Sequence, residues 1–121
     1  MRVLIDTNFA LTCIKQRIDF FEEIKLMGIK ILIPEQVINE LKTLENRDRK
    51  ESSYESEIAL RLLKKEDFKE INLNDDKTDR AIVKFAKKNP KIIIATLDKE
   101  IQSKIPNRKM IIRGKKKLEI I

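Results

Sequence analysis

The most informative absence in this sequence is histidine, which does not occur among its 121 residues. Without imidazole, Ser-His catalytic triads, histidine general acids and histidine-ligated zinc are all excluded. The single cysteine, Cys13, excludes an internal disulfide and thiolate-held zinc or iron–sulfur centres. Beside Ala10, Leu11 and Ile14, Cys13 is predicted to be a small buried hydrophobic residue. A metal ion in this chain must therefore be held by carboxylates, which favours Mg²⁺ or Mn²⁺.

Glycine, aromatic residues and long apolar runs are also scarce. The two glycines, Gly28 and Gly114, stand alone, so the chain has no glycine-rich phosphate loop. With five Phe, one Tyr and no Trp, base stacking is not evident. No run of about 18 apolar residues occurs, and residues 2–5 are too short for the apolar region of a signal peptide. We therefore expect a cytoplasmic protein that does not enter a membrane.

Charged residues, in contrast, are abundant. They make up 39% of the chain, against an average of about 25%. The 27 basic residues outnumber the 20 acidic ones, which gives a net charge of +7. This excess favours a polyanionic partner, and the alternative is a basic but merely soluble protein. The length of 121 residues predicts one domain.

Short aliphatic runs alternate with segments of helical spacing. Strands are predicted at residues 2–5, 29–33, 91–95 and 109–113, with a shorter one at 68–73 and an edge strand as an option at 118–121. Helices are predicted over 9–27 (one broken helix or two), from Pro34, after a capping-box pattern of Ser52 and Glu55, and over 79–88. This alternation predicts an α/β fold, a three-layer α/β/α sandwich with a central, mainly parallel sheet of about five strands.

Two aspartates follow predicted strands. Asp6 ends the first strand, and Asp98 lies three residues beyond Ala95, at the end of KIIIATL. In an open parallel sheet, ligands bind outside the carboxyl ends of the strands, where both acids would lie. The alternative is that each aspartate simply caps the helix that follows it.

Two further acids lie in predicted helices. Glu40 falls on the flank of the apolar stripe that contains Val37 and Leu41, while Asp79 is predicted to lie on the apolar side of its helix with Ile82. Inward carboxylates are costly unless their charge is compensated, although an acid in a first helical turn also favours the helix dipole. Four acids at one sheet edge would repel one another, and a divalent cation would relieve that repulsion.

Four short motifs of the sequence resemble those of a known family. The first-strand DTN at residues 6–8, Glu40 in VINEL, Asp79 in KTDRAI and Asp98 in ATLDKE resemble a PIN-domain ribonuclease over nearly the whole chain. Within that family, LIDTNF, IKQRID and ATLDKEI look most like the branch that trims small-subunit ribosomal RNA precursors. That branch tends to have two adjacent acids where this chain has Thr78-Asp79, and Asp75-Asp76 are either loop residues or a substitute.

The resemblance implies a metal-dependent endoribonuclease that cleaves RNA phosphodiester bonds in ribosomal RNA processing. Asp6, Glu40, Asp79 and Asp98 would be the catalytic residues that hold Mg²⁺ or Mn²⁺, and Asn8 and Thr96 would support them by hydrogen bonding. Residues 1–113 would form the PIN-like nuclease domain and residues 114–121 a basic tail. A homodimer and a ribosome-assembly partner are further implications.

The basic residues of the most polar segments are candidates for holding the RNA backbone. The segment 45–53 and the tail from Gly114 are predicted to be the mobile parts, and phosphate contacts from them would position RNA without reading its sequence. For each cluster the alternative is a solvated surface. The candidates are Arg47, Arg49, Lys50, Lys115, Lys116 and Lys117.

Two alternative functions keep the same fold. One is a toxin nuclease that is neutralised by an antitoxin encoded beside it, and the other is a catalytically silent PIN module that binds RNA or protein. A phosphoacceptor signalling domain would need an acidic pair after the first strand, where this chain has Asp6-Thr7-Asn8. A haloacid-type phosphatase would need a second aspartate at Asn8, so both of these classes are disfavoured.

Overall fold

The computed structural model describes residues 1–46, 52–114 and 116–121, which alternate strands and helices as the sequence predicts. The segment that contains Arg47, Arg49 and Lys50, and also Lys115, lie outside the described residues. In chain order the elements are β1 (Arg2–Ile5), α1 (Thr7–Lys15), α2 (Phe20–Leu26), β2 (Lys30–Pro34), α3 (Glu35–Glu45), α4 (Ser53–Lys65), β3 (Lys69–Ile71), α5 (Thr78–Lys88), β4 (Ile93–Ala95), α6 (Lys99–Lys104), β5 (Lys109–Arg113) and β6 (Lys117–Ile120).

These strands form one sheet in the order β3-β2-β1-β4-β5-β6. Every neighbouring pair is parallel except β5 and β6, which form an antiparallel hairpin. The predicted α/β fold with a mainly parallel sheet is confirmed. The sheet has six strands rather than about five, because residues 117–120 pair along β5.

The central strands are buried on both faces, which is why their sequences are continuously aliphatic. Alternate side chains enter two separate cores: Val3 and Ile5 lie on one face of the sheet and Leu4 on the other. The first core is covered by α1, α2, α3 and α4, whose buried residues include Phe9 and Val37. The second is covered by α5 and α6, so the molecule has the three layers expected of the sandwich.

The order of the strands creates a crevice at the carboxyl ends of β1 and β4. From β1 the chain proceeds through β2 to β3 on one side, and then returns to β4 and β5 on the other side. Residue Ile5 is paired with Ala95 across this junction. Ligands of open α/β sheets bind where the strand order reverses in this way.

The predicted helical stretch over residues 9–27 is two helices, α1 and α2, separated by a turn at Arg17, whose φ is 59°. The predicted capping box is wrong: Ser52 precedes α4 but has φ 74°, and its side chain makes no capping hydrogen bond. Cys13 is buried as predicted, and burial raises the pKa of its thiol to about 12.

Within the described residues, no helix has the length and apolar character that crossing a bilayer requires.

Candidate functional site

Asp6 occupies the first position beyond β1, and its side chain is only 4% exposed. Its backbone N–H donates to the carbonyl of Ala95 at 3.0 Å, which continues the pairing of β1 with β4. The carboxylate oxygen Oδ1 accepts from the N–H of Thr7 at 2.8 Å, and Oδ2 accepts from the Thr96 hydroxyl at 2.8 Å. The carboxylate is thus fixed in position by groups from two adjacent strand ends.

The environment of Asp6 disfavours its charged form. Burial raises the pKa of Asp6 to about 6, although the hydrogen bonds from Thr96 and Thr7 lower it. The negative charges of Asp79 and Glu40 raise it further. Three of the four acids predicted from the sequence therefore interact electrostatically at this edge of the sheet.

Thr96 connects Asp6 to the fourth acid. The buried Thr96 hydroxyl donates to Asp6 and accepts from the backbone N–H of Asp98 at 3.2 Å. The side chain of Gln102 donates to the Thr96 carbonyl at 2.8 Å, which fixes the start of this loop. Sequence reasoning placed Thr96 beside the acids but missed Gln102, because its partner is a backbone group that no motif reveals.

Asp98 caps α6 and still has one oxygen to offer. Its Oδ1 accepts from the N–H groups of Glu100 and Ile101, at 2.9 and 3.3 Å. Its Oδ2 accepts no hydrogen bond from the part of the chain that the structure describes. The capping alternative is therefore correct for Asp98, and capping leaves half of the carboxylate available to a ligand.

Glu40 is half-buried on α3, and the burial is uneven between its two oxygens. The atom Oε1 is buried and has no hydrogen-bond partner within the described residues. A buried acceptor without a partner costs about 1–3 kcal/mol, and more when it is charged. This oxygen therefore needs a partner that the described protein atoms do not supply.

Asp79 is exposed in the first turn of α5, so its predicted inward orientation is wrong. Ile82 and Ala86, on the same side of the helical wheel, are buried as expected. The difference arises because α5 begins at Thr78. A side chain in the first turn lies at the tip of the helix, where the rest of the molecule does not cover it.

Three of the four acids, Glu40, Asp79 and Asp98, border one open depression. Within the described ranges, no three carboxylates are close enough together to form a complete ligand set for a metal ion. The depression is lined by Glu40, Lys77, Thr78, Asp79, Arg80, Val83, Asp98, Glu100, Ile101 and Lys104. Cations thus stand beside the acids, which suits a substrate that carries negative charge.

The neighbouring Asp75 is committed to another role. Two nitrogens of Arg80, Nε and Nη2, donate to its carboxylate at 2.8 and 2.9 Å, and Lys84 Nζ lies at 3.4 Å. These cations and the N–H of Lys77 hold the pKa of Asp75 well below its usual range. Asp75 is therefore a loop residue in an ion pair rather than a substitute for a second adjacent acid. Sequence reasoning missed Arg80, since the pair is not at a helical spacing.

Two other residues considered from the sequence are exposed. Asn8 makes no side-chain hydrogen bond within the described residues, so its predicted supporting role stays a prediction. Glu100, on the surface of α6, accepts from Lys104 at 2.9 Å. The structure thus brings Asp6, Thr96 and Asp98 into one hydrogen-bonded unit, with Glu40 and Asp79 beside it.

Comparison with known proteins gives consistent matches. A family model described as a PIN like domain matches residues 3–115. Ribonuclease VapC4 of Methanocaldococcus jannaschii is 32% identical over 126 residues, covering 98% of this chain and 95% of that protein. The solved structure of the PIN domain endonuclease Utp24 has a TM-score of 0.79 and 26% identity, covering 98% of this chain and 90% of that one. VapBC2 from Rickettsia felis, bound to a DNA fragment from their promoter, has a TM-score of 0.65 and 12% identity over 92% of this chain and 98% of that chain, and shows the fold alone.

Proposed function

Because the chain belongs to the PIN-like domain family, we propose that it is a divalent-metal-dependent endoribonuclease that acts in ribosomal RNA processing. The observation that carries the proposal is the buried carboxylate of Asp6, whose pKa is raised by burial and by the charges of Asp79 and Glu40. The relatives support it, since one is a ribonuclease and another a PIN domain endonuclease. The motifs shared with the branch that trims small-subunit ribosomal RNA support the cellular role.

The residues of this site fit a hard divalent cation. PIN-domain nucleases generally use divalent metal ions. The donor set is made of carboxylate oxygens, which are the ligands that Mg²⁺ and Mn²⁺ accept. Glu40 Oε1 is buried and has no hydrogen-bond partner among the described residues, and a cation would satisfy it. Asp6, Glu40, Asp79 and Asp98 are the residues that would hold the ion, directly or through water molecules that complete its ligand set.

A bound divalent cation lowers the pKa of a water molecule and stabilises negative charge on phosphate oxygens. The protein's own contribution is to hold its acids in place. Thr96 and Thr7 fix both oxygens of Asp6, and the Asp98 cap orients its second oxygen away from the α6 backbone N–H groups. Lys77 borders the depression that Glu40, Asp79 and Asp98 line, and its charge favours the approach of a phosphodiester.

Mg²⁺ or Mn²⁺ should raise the melting temperature of the native protein. A ligand that binds only the folded state at 100 times its dissociation constant stabilises that state by about 2.7 kcal/mol. The measurement is a melting curve in EDTA and with increasing Mn²⁺. Glu40→Gln should reduce the shift, because it neutralises the buried group. Equal shifts in both proteins would contradict a metal site at Glu40.

Cleavage of a circular RNA in the presence of Mn²⁺ tests the proposed reaction directly. A circle has no ends, so a linear product requires an internal cut. The native protein should linearise it, whereas a silent RNA-binding module would leave it closed. Sequencing of RNA crosslinked to the protein in its own cells tests the cellular role, and we expect small-subunit ribosomal RNA precursors to be enriched.

A toxin nuclease is the second candidate, because Ribonuclease VapC4 is 32% identical over nearly the whole chain. A small antitoxin gene beside this one would favour it. Expression of the native protein should then arrest growth, and co-expression of that neighbour should restore it. Normal growth together with crosslinking to ribosomal RNA precursors would favour the processing role instead.

Asp75→Asn should leave cleavage within a few-fold of the native rate, since Asp75 is bound to Arg80 rather than turned to the acids. We expect a lower melting temperature as well, because the Arg80 guanidinium loses its charged partner. Both quantities follow from cleavage rates and melting curves of the variant beside the native protein. Loss of cleavage in a well-folded Asp75→Asn protein would show that Asp75 belongs to the catalytic set.

A further inference from the structure

A small basic pocket lies between the end of α1 and the turn from β5 to β6. Its described lining is Lys15, Gln16, Arg17, Gly114 and Lys116, which join two parts of the chain remote in sequence. The lining includes three cations and, within the described residues, no carboxylate. Arg17 and Lys116 bring positive charge from these two parts of the chain to one pocket, which favours an anion there.

Two of the basic residues at this pocket lie on strained backbone. Arg17 has φ 59° and Lys116 has φ 63°, and these are two of the four non-glycine residues with positive φ in the described chain. For residues other than glycine the left-handed conformation is unfavourable, because Cβ lies too close to the following carbonyl oxygen. Strain of this kind is maintained where a side chain has a function, and it suggests one here.

At Arg17 the structural motif itself prefers glycine. The N–H of Arg17 donates to the carbonyl of Ile14 at 3.0 Å, and the N–H of Ile18 donates to that of Cys13 at 2.8 Å. These two hydrogen bonds define a Schellman motif at the end of α1. Its left-handed position, which Arg17 occupies, is usually glycine. The chain has arginine instead, and its guanidinium gives this position a positive charge and several N–H donors.

The pocket lies on the same edge of the sheet as the acids. β5 is parallel to β4, so the turn after Arg113 leaves the sheet at the carboxyl edge that also bears Asp6. The lateral distance from β1 to β5 is two strand spacings, roughly 10 Å. Met110 pairs with Ala95, and β5 continues for three more residues, so the turn projects roughly 10 Å beyond that level.

We propose that Arg17 and Lys116 bind a backbone phosphate of the RNA strand that is cut at the acidic site. The proposal rests on the proposed function and extends the sequence-predicted Lys116 into a site with a partner from the turn after α1. Arginine binds phosphate through two parallel hydrogen bonds, and lysine adds a point charge. The described lining contains no aromatic ring on which a base could stack, so the proposed ligand is the phosphate rather than the base.

The test is RNA binding in EDTA, where cleavage does not interfere, at several salt concentrations. Arg17→Gly and Lys116→Gly remove the charge and relieve the strained backbone together. Each should weaken binding of a labelled single-stranded RNA several-fold and reduce the salt slope by about 0.7, the value of one phosphate contact. Their melting temperatures should be unchanged, or raised by up to about 4 °C.

Two further variants serve as controls. Arg17→Lys keeps the charge and should restore most of the salt slope. Lys30→Gln makes the same change in net charge at the opposite edge of the sheet, where β2 begins, and should leave the slope near the native value. A native slope in Arg17→Gly, or an equal loss in Lys30→Gln, would overturn the proposal, as would a large fall in melting temperature on Arg17→Gly.

This binding test is independent of catalysis. Failure of the circular-RNA assay with a reduced salt slope in Arg17→Gly would reject the proposed reaction and keep the phosphate pocket. Cleavage by the native protein with an unchanged slope in that variant would keep the reaction and reject the pocket.

Discussion

The Asp6→Asn protein will bind RNA but will not cleave it, and without metal it will be more stable than the native protein at neutral pH. Loss of a charged metal ligand removes several kcal/mol of transition-state stabilisation, which corresponds to a fall in rate of roughly 10³-fold or more. The Mn²⁺-dependent rise in melting temperature should shrink at the same time. Full cleavage by carefully purified Asp6→Asn protein would end the catalytic assignment.

The stability part of this prediction follows from the sign of the pKa change. Burial raises the pKa of Asp6 from 3.8 to about 6, so the native state holds the proton more tightly than the unfolded state. The stabilisation that this bound proton gives to the native state is complete below pH 3.8 and is lost as the pH rises through about 6. The penalty above that pH is about 3 kcal/mol, since a tenfold change in acidity is worth about 1.4 kcal/mol.

Urea unfolding in EDTA across this pH range measures the effect. The gain in stability from Asp6→Asn should be small below pH 4 and should reach a plateau above about pH 6. Asp67→Asn makes the same chemical change at an exposed residue just before β3 and should show no such gain. A gain that does not depend on pH would mean that the buried charge is not its cause.

Thr96→Val should reduce cleavage by roughly 10- to 100-fold, the usual effect of losing a residue that orients a metal ligand. Valine has the shape of threonine but lacks the hydroxyl that bridges Asp6 and the Asp98 N–H. We expect a loss of about 1–3 kcal/mol in stability, because buried polar groups lose their partner.

The pH profile separates this role from a purely structural one. The hydrogen bond from Thr96 lowers the pKa of Asp6, so its removal raises that pKa and moves the acid limb of the kcat/KM profile to higher pH. Thr96→Ser keeps the hydroxyl and should retain both the rate and the profile. An unshifted profile in Thr96→Val, with lower stability alone, would make Thr96 a packing residue.

The sheet and the position of the acids followed from the sequence, because both depend on local patterns. Aliphatic runs identified the buried strands, and the rule for parallel sheets placed Asp6 and Asp98 at the same edge. The family resemblance, carried by the same motifs, is confirmed by the match over residues 3–115.

The remaining features depend on tertiary contacts that no spacing records. Asp79 was predicted inward from its helical phase, but its position at the tip of α5 leaves it exposed. The pair of Asp75 with Arg80 depends on how the loop before α5 folds back. The basic pocket requires Arg17 and Lys116, remote in sequence, to meet in the folded chain, and their positive φ angles leave no trace in composition.

The hydrogen bond from Thr96 to Asp6 spans 90 positions of the chain. The first half of the molecule contains Asp6 and Glu40, yet the partner strand for β1 on this side comes from β4, far later in synthesis. During synthesis, Asp6 and Glu40 are therefore made before Thr96, the residue whose hydroxyl holds the Asp6 carboxylate. The proposed cutting activity would therefore arise only when β4 completes this part of the sheet.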